Sequence, residues 1–396
     1  MLKIIRSGKI PRYYMWVFLL ILMPFQFWGY LDELLAAVCV VYLIVEVIKK
    51  QLSSNELKMF IWLCILIVVG IVSNINSRIN VPIFYVATDA LWLSKTFVVF
   101  IGFRHLFKKK KNKIANALLP LSKSVIIFMF LTSILTQFLD IGMTIEVRYG
   151  ISAYGFFWKN GIQTAWLLAG CMACVCIEES NKRKCWKYIF MSTVVCGLTT
   201  KGLVWVLPLT FIILKLIANH ESKLSFKKII PIILVIVLAS GYQIQTYLLN
   251  DASIRYRLIY YGFVTASTYF PLGSGFATYG SDFAVRNYSE LYYKYGFNSM
   301  WGLSKEDPLF LNDNYLGMIA GQFGYLGLLI FVLILIKMFQ VINKSNVSNT
   351  QKYWAISVFF TIVISMIASA TAKSCMGVFA TIFLALLTID DYEEGK

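Results

Sequence analysis

The sequence IFYVATDALWLSKTFVVFIGFRHLFKKKK, residues 83–111, joins a long apolar run to a block of basic residues. A helix of about 20 apolar residues crosses the hydrocarbon core of a bilayer, and residues 83–103 supply such a run. Lys and Arg beside a span are retained on the cytoplasmic side. Arg104 and the lysines 108–111 therefore predict that this helix ends in the cytoplasm.

Similar runs extend over the whole chain of 396 residues, which is 59% hydrophobic and 14% charged, with a mean hydropathy of +0.69. A soluble domain carries about 25% charged residues, so the composition predicts an all-α bundle of membrane helices, which satisfy their own backbone hydrogen bonds. We expect one integral membrane domain over 1–396, with about 12 spans and both termini cytoplasmic. The predicted spans lie near 14–30, in a run ending at Lys49, near 58–73, 83–103, 118–139 and 160–177, in two short helices over 187–218 that meet at Lys201, and near 229–247, 314–338, 353–371 and 375–389.

The net charge of +17 does not indicate a nucleic-acid partner, because most Lys and Arg residues fall in the predicted cytoplasmic segments. Cys171, Cys174 and Cys176 lie in one apolar helix without a nearby His, so we interpret them as packing residues and expect no metal and no cofactor. Asp89 and Lys95 are charges within a predicted span, which usually indicates function. Their spacing of six residues puts them on different helix faces, so they are not expected to form a pair.

Residues 248–310 form the longest predicted segment without a span, and we place this loop on the outer, non-cytoplasmic side. Its many tyrosines form either a glycan-binding surface or an interfacial aromatic belt. A surface helix is predicted over 281–295, with Ser281 as its N-cap. Tyr288, Tyr292 and Tyr295 would share one face of this helix. Just before it, the glycines of PLGSGF (271–276) either permit tight turns or cradle a phosphate.

Basic side chains on the outer side are candidates for binding a phosphate-rich headgroup, because Arg offers a planar fork of donors. Each could instead be a solvated charge, and Arg255 could pair with Asp251 one helical turn away. Asp313 could be a general base for an acceptor hydroxyl or the N-cap of the next helix, and the two roles are compatible. The predicted outer cations are Arg148, Lys201, Arg255, Arg257 and Arg286.

The order of these features resembles the O-antigen ligase and Wzy-type polysaccharide polymerase superfamily. The resemblance rests on PLGSGFATYGS (271–281), the tyrosine-rich segment after it, and LNDNYLGMIAGQFGYLGL (311–328). It also includes Arg148 upstream of Asn160, and LTTKG (198–202) where the family has a Ser-Arg pair. It covers roughly 145–340. Lys201 replaces an expected Arg, and Asp313 and Asn314 stand where the ligase branch has a His, which favours the polymerase branch.

The resemblance implies a GT-C-like fold and metal-independent, inverting glycosyl transfer at the outer face of the bacterial cytoplasmic membrane. The substrates would be oligosaccharide repeat units on undecaprenyl pyrophosphate, and the product an O-antigen or capsule polysaccharide. It assigns catalysis to Asp313, Arg255 and Arg286, and pyrophosphate or glycan binding to Arg148, Lys201, Arg257 and the three tyrosines. Membrane lipid, a chain-length regulator and a flippase would be partners.

Two other functions remain open from the sequence. A flippase or secondary transporter would handle the same lipid-linked repeat, although transporters often contain an internal repeat and none is found between the halves of this chain. An O-antigen ligase would transfer the finished glycan instead of extending it. The first alternative moves an unchanged substrate, whereas a polymerase lengthens it.

Overall fold

The computed structural model describes residues 12–26, 29–178, 183–217 and 249–390, with a few isolated positions between 230 and 245. The span predicted near 229–247 lies almost wholly outside the described residues. Within them, helices predominate and one two-stranded sheet is present. The helices are α1 (Arg12–Leu22), α2 (Leu31–Ile48), α3 (Ser54–Ser77), α4 (Ile83–Leu106), α5 (Lys111–Leu135), α6 (Gly161–Glu178), α7 (Arg183–Leu198), α8 (Gly202–Ile217), α9 (Ile254–Thr268), α10 (Asp282–Asn287), α11 (Glu290–Lys294), α12 (Tyr315–Lys344), α13 (Asn349–Ala368) and α14 (Cys375–Leu387).

Six helices of the described residues are long and apolar enough to cross a membrane, namely α3, α4, α5, α6, α12 and α13. Four further helices, α1, α7, α8 and α14, are apolar but shorter. The helix α2 has the length of a span, but it contains the carboxylates Asp32, Glu33 and Glu46. The chain is therefore a mostly helical, multi-pass membrane protein.

The break predicted near Lys201 is present. The helix α7 ends at Leu198 and α8 begins at Gly202, so Thr199, Thr200 and Lys201 form the turn between two short helices. Thr200 has a φ of 54°, a left-handed conformation that is uncommon for a β-branched residue. The turn places Lys201 at the tip of the α7–α8 hairpin.

One end of the bundle is closed by ion pairs among helix ends. Arg104 Nε, near the end of α4, lies 2.8 Å from Glu56 Oε1 in the first turn of α3. His105 contacts Glu46 and Glu56 at 3.6 and 3.5 Å. Lys111 Nζ, at the start of α5, donates to the carbonyl of Ile389 at 2.8 Å. The lysines 108–111 belong to this end, which the sequence predicts to be cytoplasmic.

At the other end, residues 271–277 of the long loop are wedged between α3, α4 and α12. Four consecutive backbone N–H groups of this wedge donate to acceptors on those helices. The pairs are Ser274 with the Gly321 carbonyl at 2.8 Å, Gly275 with the Gln322 carbonyl at 2.8 Å, Phe276 with Asn74 Oδ1 at 2.8 Å and Ala277 with Asp89 Oδ2 at 2.7 Å. A phosphate cradle needs unoccupied N–H groups, so PLGSGF anchors the loop here.

The wedge explains two features of α4 and α12. Asp89 is 3% exposed, and its Oδ2 also accepts from Gln322 Nε2 at 3.0 Å; the carboxylate therefore fastens the loop to both helices. The backbone of α12 is non-helical at Gly324, with a φ of 64°. A Cβ at Gly324 would lie 2.1 Å from the carbonyl oxygen of Leu272, so only glycine allows this close approach.

The single helix predicted over 281–295 is wrong: two short helices, α10 and α11, take its place. Ser281 does cap α10, since its hydroxyl accepts from the Ala284 N–H at 3.2 Å. The chain breaks at Tyr288, whose φ is 42°. Helical periodicity does not reveal a single left-handed residue, so the sequence suggested one continuous helix.

A short β-hairpin, which the sequence analysis did not predict, precedes α6. Strand β1 (Thr144–Arg148) pairs antiparallel with β2 (Ile151–Tyr154), and Arg148 is the partner of Ile151. Tyr149 and Gly150 have φ values of 55° and 76°. Two successive positive φ values are typical of the tight turns that join hairpin strands. Arg148 therefore lies in the last residue pair before the hairpin turn.

Candidate functional site

Three basic side chains from separate parts of the chain converge at the end of the bundle that carries the long loop. Arg148 comes from β1, Lys201 from the α7–α8 turn and Arg255 from the first turn of α9. Glu146 and Asp313 lie beside them. We call these five residues the cationic cluster; with all groups charged it carries one excess positive charge. Four of the residues that the sequence singled out meet here.

The two arginines of the cluster are each paired with a carboxylate. Arg255 Nε lies 3.0 Å from Asp313 Oδ2, and its terminal nitrogen binds the same oxygen. Arg148 pairs with Glu146 on the same strand. The side chains of Arg148 and Arg255 are 37% and 29% exposed, so both pairs remain open to a ligand from solvent. A competing anion could take over the guanidinium donors of either arginine.

The side chain of Lys201 packs against the start of α6. A Cβ on Gly161 would lie 3.2 Å from Lys201 Cδ and 3.2 Å from Thr199 Cβ, so the two segments pack closely at this glycine. The preceding residue, Asn160, accepts the N–H of Ile162 with its side-chain oxygen at 3.0 Å. The N-terminal end of a helix carries partial positive charge. The α6 N-terminus therefore adds to the positive potential at Lys201.

The charge state of Lys201 is set by its surroundings. Burial lowers the pKa of its ammonium group, and the nearby charges of Arg148 and Arg255 lower it further. Glu146 and Asp313 act in the opposite direction but do not cancel the shift. No acceptor is bound to Lys201 Nζ among the described residues, so this lysine is the one cation of the cluster without a carboxylate partner there.

Asn314, not Asp313, caps α12. The Asn314 side-chain oxygen accepts the N–H of Gly317 at 2.6 Å. Asp313 therefore has its carboxylate available for Arg255, and within the described part of the chain no donor is bound to its Oδ1. Of the two interpretations that the sequence left open for Asp313, the N-cap is excluded.

Two buried polar atoms adjoin the cluster without a partner in the described residues: Asn314 Nδ2 and Thr200 Oγ1. Asn314 is only 2% exposed. Leaving such a group unsatisfied costs about 1–3 kcal/mol. Asn314 follows Asp313 in the chain and Thr200 precedes Lys201, so both atoms belong to immediate sequence neighbours of the cluster.

The other predicted site residues make their contacts elsewhere. Arg257 donates to the carbonyl of Asp251 at 3.3 Å and lies 3.3 Å from Met300 Sδ. Arg286 is exposed, and its guanidinium lies 5.1 Å from the centre of the Phe283 ring. Tyr288, Tyr292 and Tyr295 are 4%, 0% and 8% exposed and pack within the loop. This burial gives no support to a direct sugar contact by these three rings.

A second polar network, which the sequence analysis missed, lies beside the cluster. Lys373, in the turn between α13 and α14, binds Asp282 of α10 at 2.7 Å. The other carboxylate oxygen of Asp282 accepts from Asn312 at 2.6 Å. Burial opposes the ionisation of Asp282, but Lys373 and Asn312 outweigh it and lower its pKa. A lone lysine between two apolar runs was the available sequence signal.

Lys95 belongs to a separate buried group. Its Nζ lies 2.5 Å from Asp32 and 3.2 Å from Glu33, at the start of α2. Trp92 stands between the two networks, with Lys95 Nζ 4.6 Å and Lys373 Nζ 5.9 Å from its ring. The sequence prediction that Lys95 does not pair with Asp89 is confirmed.

An apolar cavity of about 550 Å³ lies between α1, α5 and α14, and the turn Phe156–Trp158 contributes to its wall. Its lining is almost wholly apolar and includes Leu20, Leu121, Phe128, Phe157 and Phe383. Phe18 and Leu131, on α1 and α5, are 63% and 53% exposed, as expected for side chains that face lipid. Trp158, which lines the cavity, lies three residues before Gly161 in the chain. Lys201 packs against Gly161.

No family model matches the chain, and no curated protein matches it.

Proposed function

We propose that this protein is a polysaccharide polymerase that joins lipid-linked oligosaccharide repeat units by inverting glycosyl transfer at the outer face of the bacterial cytoplasmic membrane. The observation that carries the proposal is the convergence of Arg148, Lys201 and Arg255 at one end of a membrane helix bundle. A soluble sugar phosphate would not need such a site inside a membrane protein. A glycan on a polyprenyl diphosphate presents an anion at the membrane surface.

The chemistry follows from the charges. When the donor glycosidic bond breaks, negative charge develops on the departing diphosphate. Fixed cations aimed at that charge stabilise the transition state without reorganising. Arg148 and Arg255 offer planar donor forks, and Lys201 offers a third positive group. No metal is required in this proposal, because these side chains supply the positive charge.

Asp313 is the proposed general base. Its Oδ2 is occupied by Arg255, and its Oδ1 is the oxygen that would accept the proton of the acceptor hydroxyl. A base must lie within hydrogen-bond reach of that proton. In the same arrangement Asp313 positions Arg255, so one residue would couple acceptor activation to diphosphate binding.

The proposed topology has about 12 spans, with both termini cytoplasmic. It counts the six long apolar helices, the shorter ones, α2 and the segment near 229–247. The basic block 108–111 lies at the opposite end of the bundle from the cationic cluster, which supports placing the cluster outside. The apolar cavity supports a lipid-linked substrate, because it offers space for part of a hydrocarbon chain.

The test uses a deletion strain complemented with the wild type, Arg255→Ala, Asp313→Ala or the control Lys294→Ala. Lys294 is an exposed cation of the same loop outside the cluster. We expect the first two variants to reproduce the deletion, with single lipid-linked repeats at the outer face and no long polysaccharide on a gel. Membrane abundance of each variant is measured in parallel.

The alternatives give different results in the same strain. A flippase would leave the repeats on the cytoplasmic side. A ligase would leave long polymer that is not transferred to its final acceptor. Either pattern would overturn the polymerase proposal.

A further inference from the structure

Lys201 differs from the two arginines of the cluster in one property that matters for binding. Its charge can change, because an ammonium group loses its proton far more readily than a guanidinium group. Its Nζ has no bound acceptor among the described residues, whereas Arg148 and Arg255 each have a carboxylate. In a crowded group of cations, Lys201 is thus the one that can relieve the repulsion by losing a proton.

The elements that surround Lys201 favour this loss. Strand β1 presents Arg148 and Glu146, and α9 presents Arg255. Asp313 lies immediately before Asn314, the N-cap of α12. The start of α6 packs against the lysine stem through Gly161 and contributes the positive end of a helix. Both carboxylates are bound to the arginines, which reduces what they offer to Lys201.

A diphosphate reverses this balance. It brings at least two negative charges to a site whose cations otherwise repel one another, and its oxygens accept hydrogen bonds from an ammonium group. The bound anion therefore favours the protonated form of Lys201, while the empty site disfavours it.

We propose that Lys201 takes up a proton from solvent when a polyprenyl diphosphate binds, so that substrate binding is proton-coupled at this one residue. The inference rests on the proposed function, which makes a diphosphate the ligand. The lone pair of neutral Nζ accepts the proton on binding, and the ammonium returns it to solvent when the product diphosphate leaves. No other bond changes in this step.

The sign of the pH effect follows from linkage. If binding takes up one proton, affinity falls as pH rises, by up to about tenfold for each pH unit. An arginine at this position would keep its charge throughout and remove this dependence. This substitution retains the long aliphatic stem that packs against Gly161.

The experiment measures farnesyl diphosphate binding to the full chain in lipid nanodiscs by titration calorimetry. Two buffers of different ionisation enthalpy are used at each pH, from neutral pH up towards about 10.4, the ordinary pKa of a lysine. The difference in heat between buffers gives the number of protons taken up. Wild type, Lys201→Arg, Lys201→Met and the loop control Lys294→Arg are compared.

We expect the wild type and Lys294→Arg to take up more protons than Lys201→Arg and to lose affinity with rising pH. Lys201→Arg should bind with nearly constant affinity, and Lys201→Met should bind about tenfold more weakly at the low end of the range. Ionisation of the ligand contributes equally to all variants, so the difference isolates Lys201. Matching elution profiles of the purified variants show that the fold is retained.

Two outcomes separate the claims. Equal proton uptake by the wild type and Lys201→Arg, with normal affinity, overturns the proton coupling and leaves the polymerase proposal standing. Absence of farnesyl diphosphate binding by the wild type and by Lys201→Arg shows that the cluster does not take diphosphates, which overturns both.

Discussion

At the scale of single residues, the site depends on which neighbour each charge has. Arg255 could have paired with Asp251 one turn away, but the structure pairs it with Asp313, 58 residues along the chain. Asp313 is available because Asn314 provides the helix cap. The sequence identified both residues as candidates. It could not identify the pair, because helical spacing predicts neighbours within a helix and not between elements.

The residue-scale prediction concerns Asp313. Asp313→Asn keeps the size of the side chain but removes the charge and the capacity to accept a proton. If Asp313 is the base, the turnover rate with purified lipid-linked repeats should fall on the order of 10²–10⁴-fold, and the loss of rate at acidic pH that comes from protonation of the base should disappear.

Asp313→Glu is the matched variant, since it keeps an ionisable carboxylate. It should retain measurable activity with an altered pH profile. If Asp313→Asn instead weakens substrate binding and leaves turnover and its pH profile unchanged, Asp313 only positions Arg255.

At the scale of elements, the long loop is fixed to the bundle at two places: the wedge 271–277, and the contact of Asp282 with Lys373. The sequence predicted the N-cap Ser281 correctly. It did not predict the buried tyrosines, because tyrosine is common both at interfaces and inside loops. It also missed the β-hairpin, whose two strands of five and four residues are too short to show a pattern.

The close packing of the wedge predicts that a small substitution beside it lowers the stability of the fold strongly. Gly324→Ala would place a Cβ 2.1 Å from the Leu272 carbonyl oxygen, at a φ of 64°. Because backbone and not a flexible side chain must move, we expect destabilisation of about 2–4 kcal/mol, measured by thermal unfolding in detergent.

Gly296→Ala is the control for this prediction. Gly296 has a similar φ of 70°, but nothing lies within 4 Å of the added Cβ. It should cost only about 1–2 kcal/mol for the left-handed backbone. Equal losses for the two variants would show that the close approach at Gly324 is not what the glycine serves.

The contact between Asp282 and Lys373 predicts a pH effect on the attachment of the loop. The pKa of folded Asp282 is lowered, so its stabilisation is complete above the unfolded value of about 3.9 and is lost as pH falls through the folded value. Asp282→Asn should therefore make protease cleavage of the loop faster at neutral pH and flatten its response to acid.

Lys373→Met tests the same contact from the other side. A double-mutant cycle with Asp282→Asn should give an interaction free energy between the two residues of about 1–3 kcal/mol. Additive effects of the two substitutions would mean that the pair does not hold the loop.

At the scale of the whole molecule, charge and polarity are divided between two ends. Arg104, His105 and the lysines 108–111 lie at one end, and the cationic cluster and the wedged loop lie at the other. The sequence predicted this division from the basic blocks alone, because membrane insertion selects for it. The number of spans is harder to predict, since α7, α8 and α14 are short and α2 carries three carboxylates.

The orientation can be measured with paired reporter insertions. A phosphatase reporter should be active after Lys305, in the long loop, and inactive after Lys110. A fluorescent reporter that folds only in the cytoplasm should show the opposite pattern. The same activity at both positions would contradict the proposed topology.

The apolar cavity has a consequence for substrate choice. Its volume of about 550 Å³ suits a drug-sized molecule and is too small to enclose a whole polyprenyl tail, so most of the tail would stay among the membrane lipids. The protein would then sample only the isoprene units nearest the diphosphate. Short-tailed, water-soluble analogues should therefore compete with the natural lipid nearly as well as full-length ones. Inhibitors of this protein need not carry a long hydrocarbon chain.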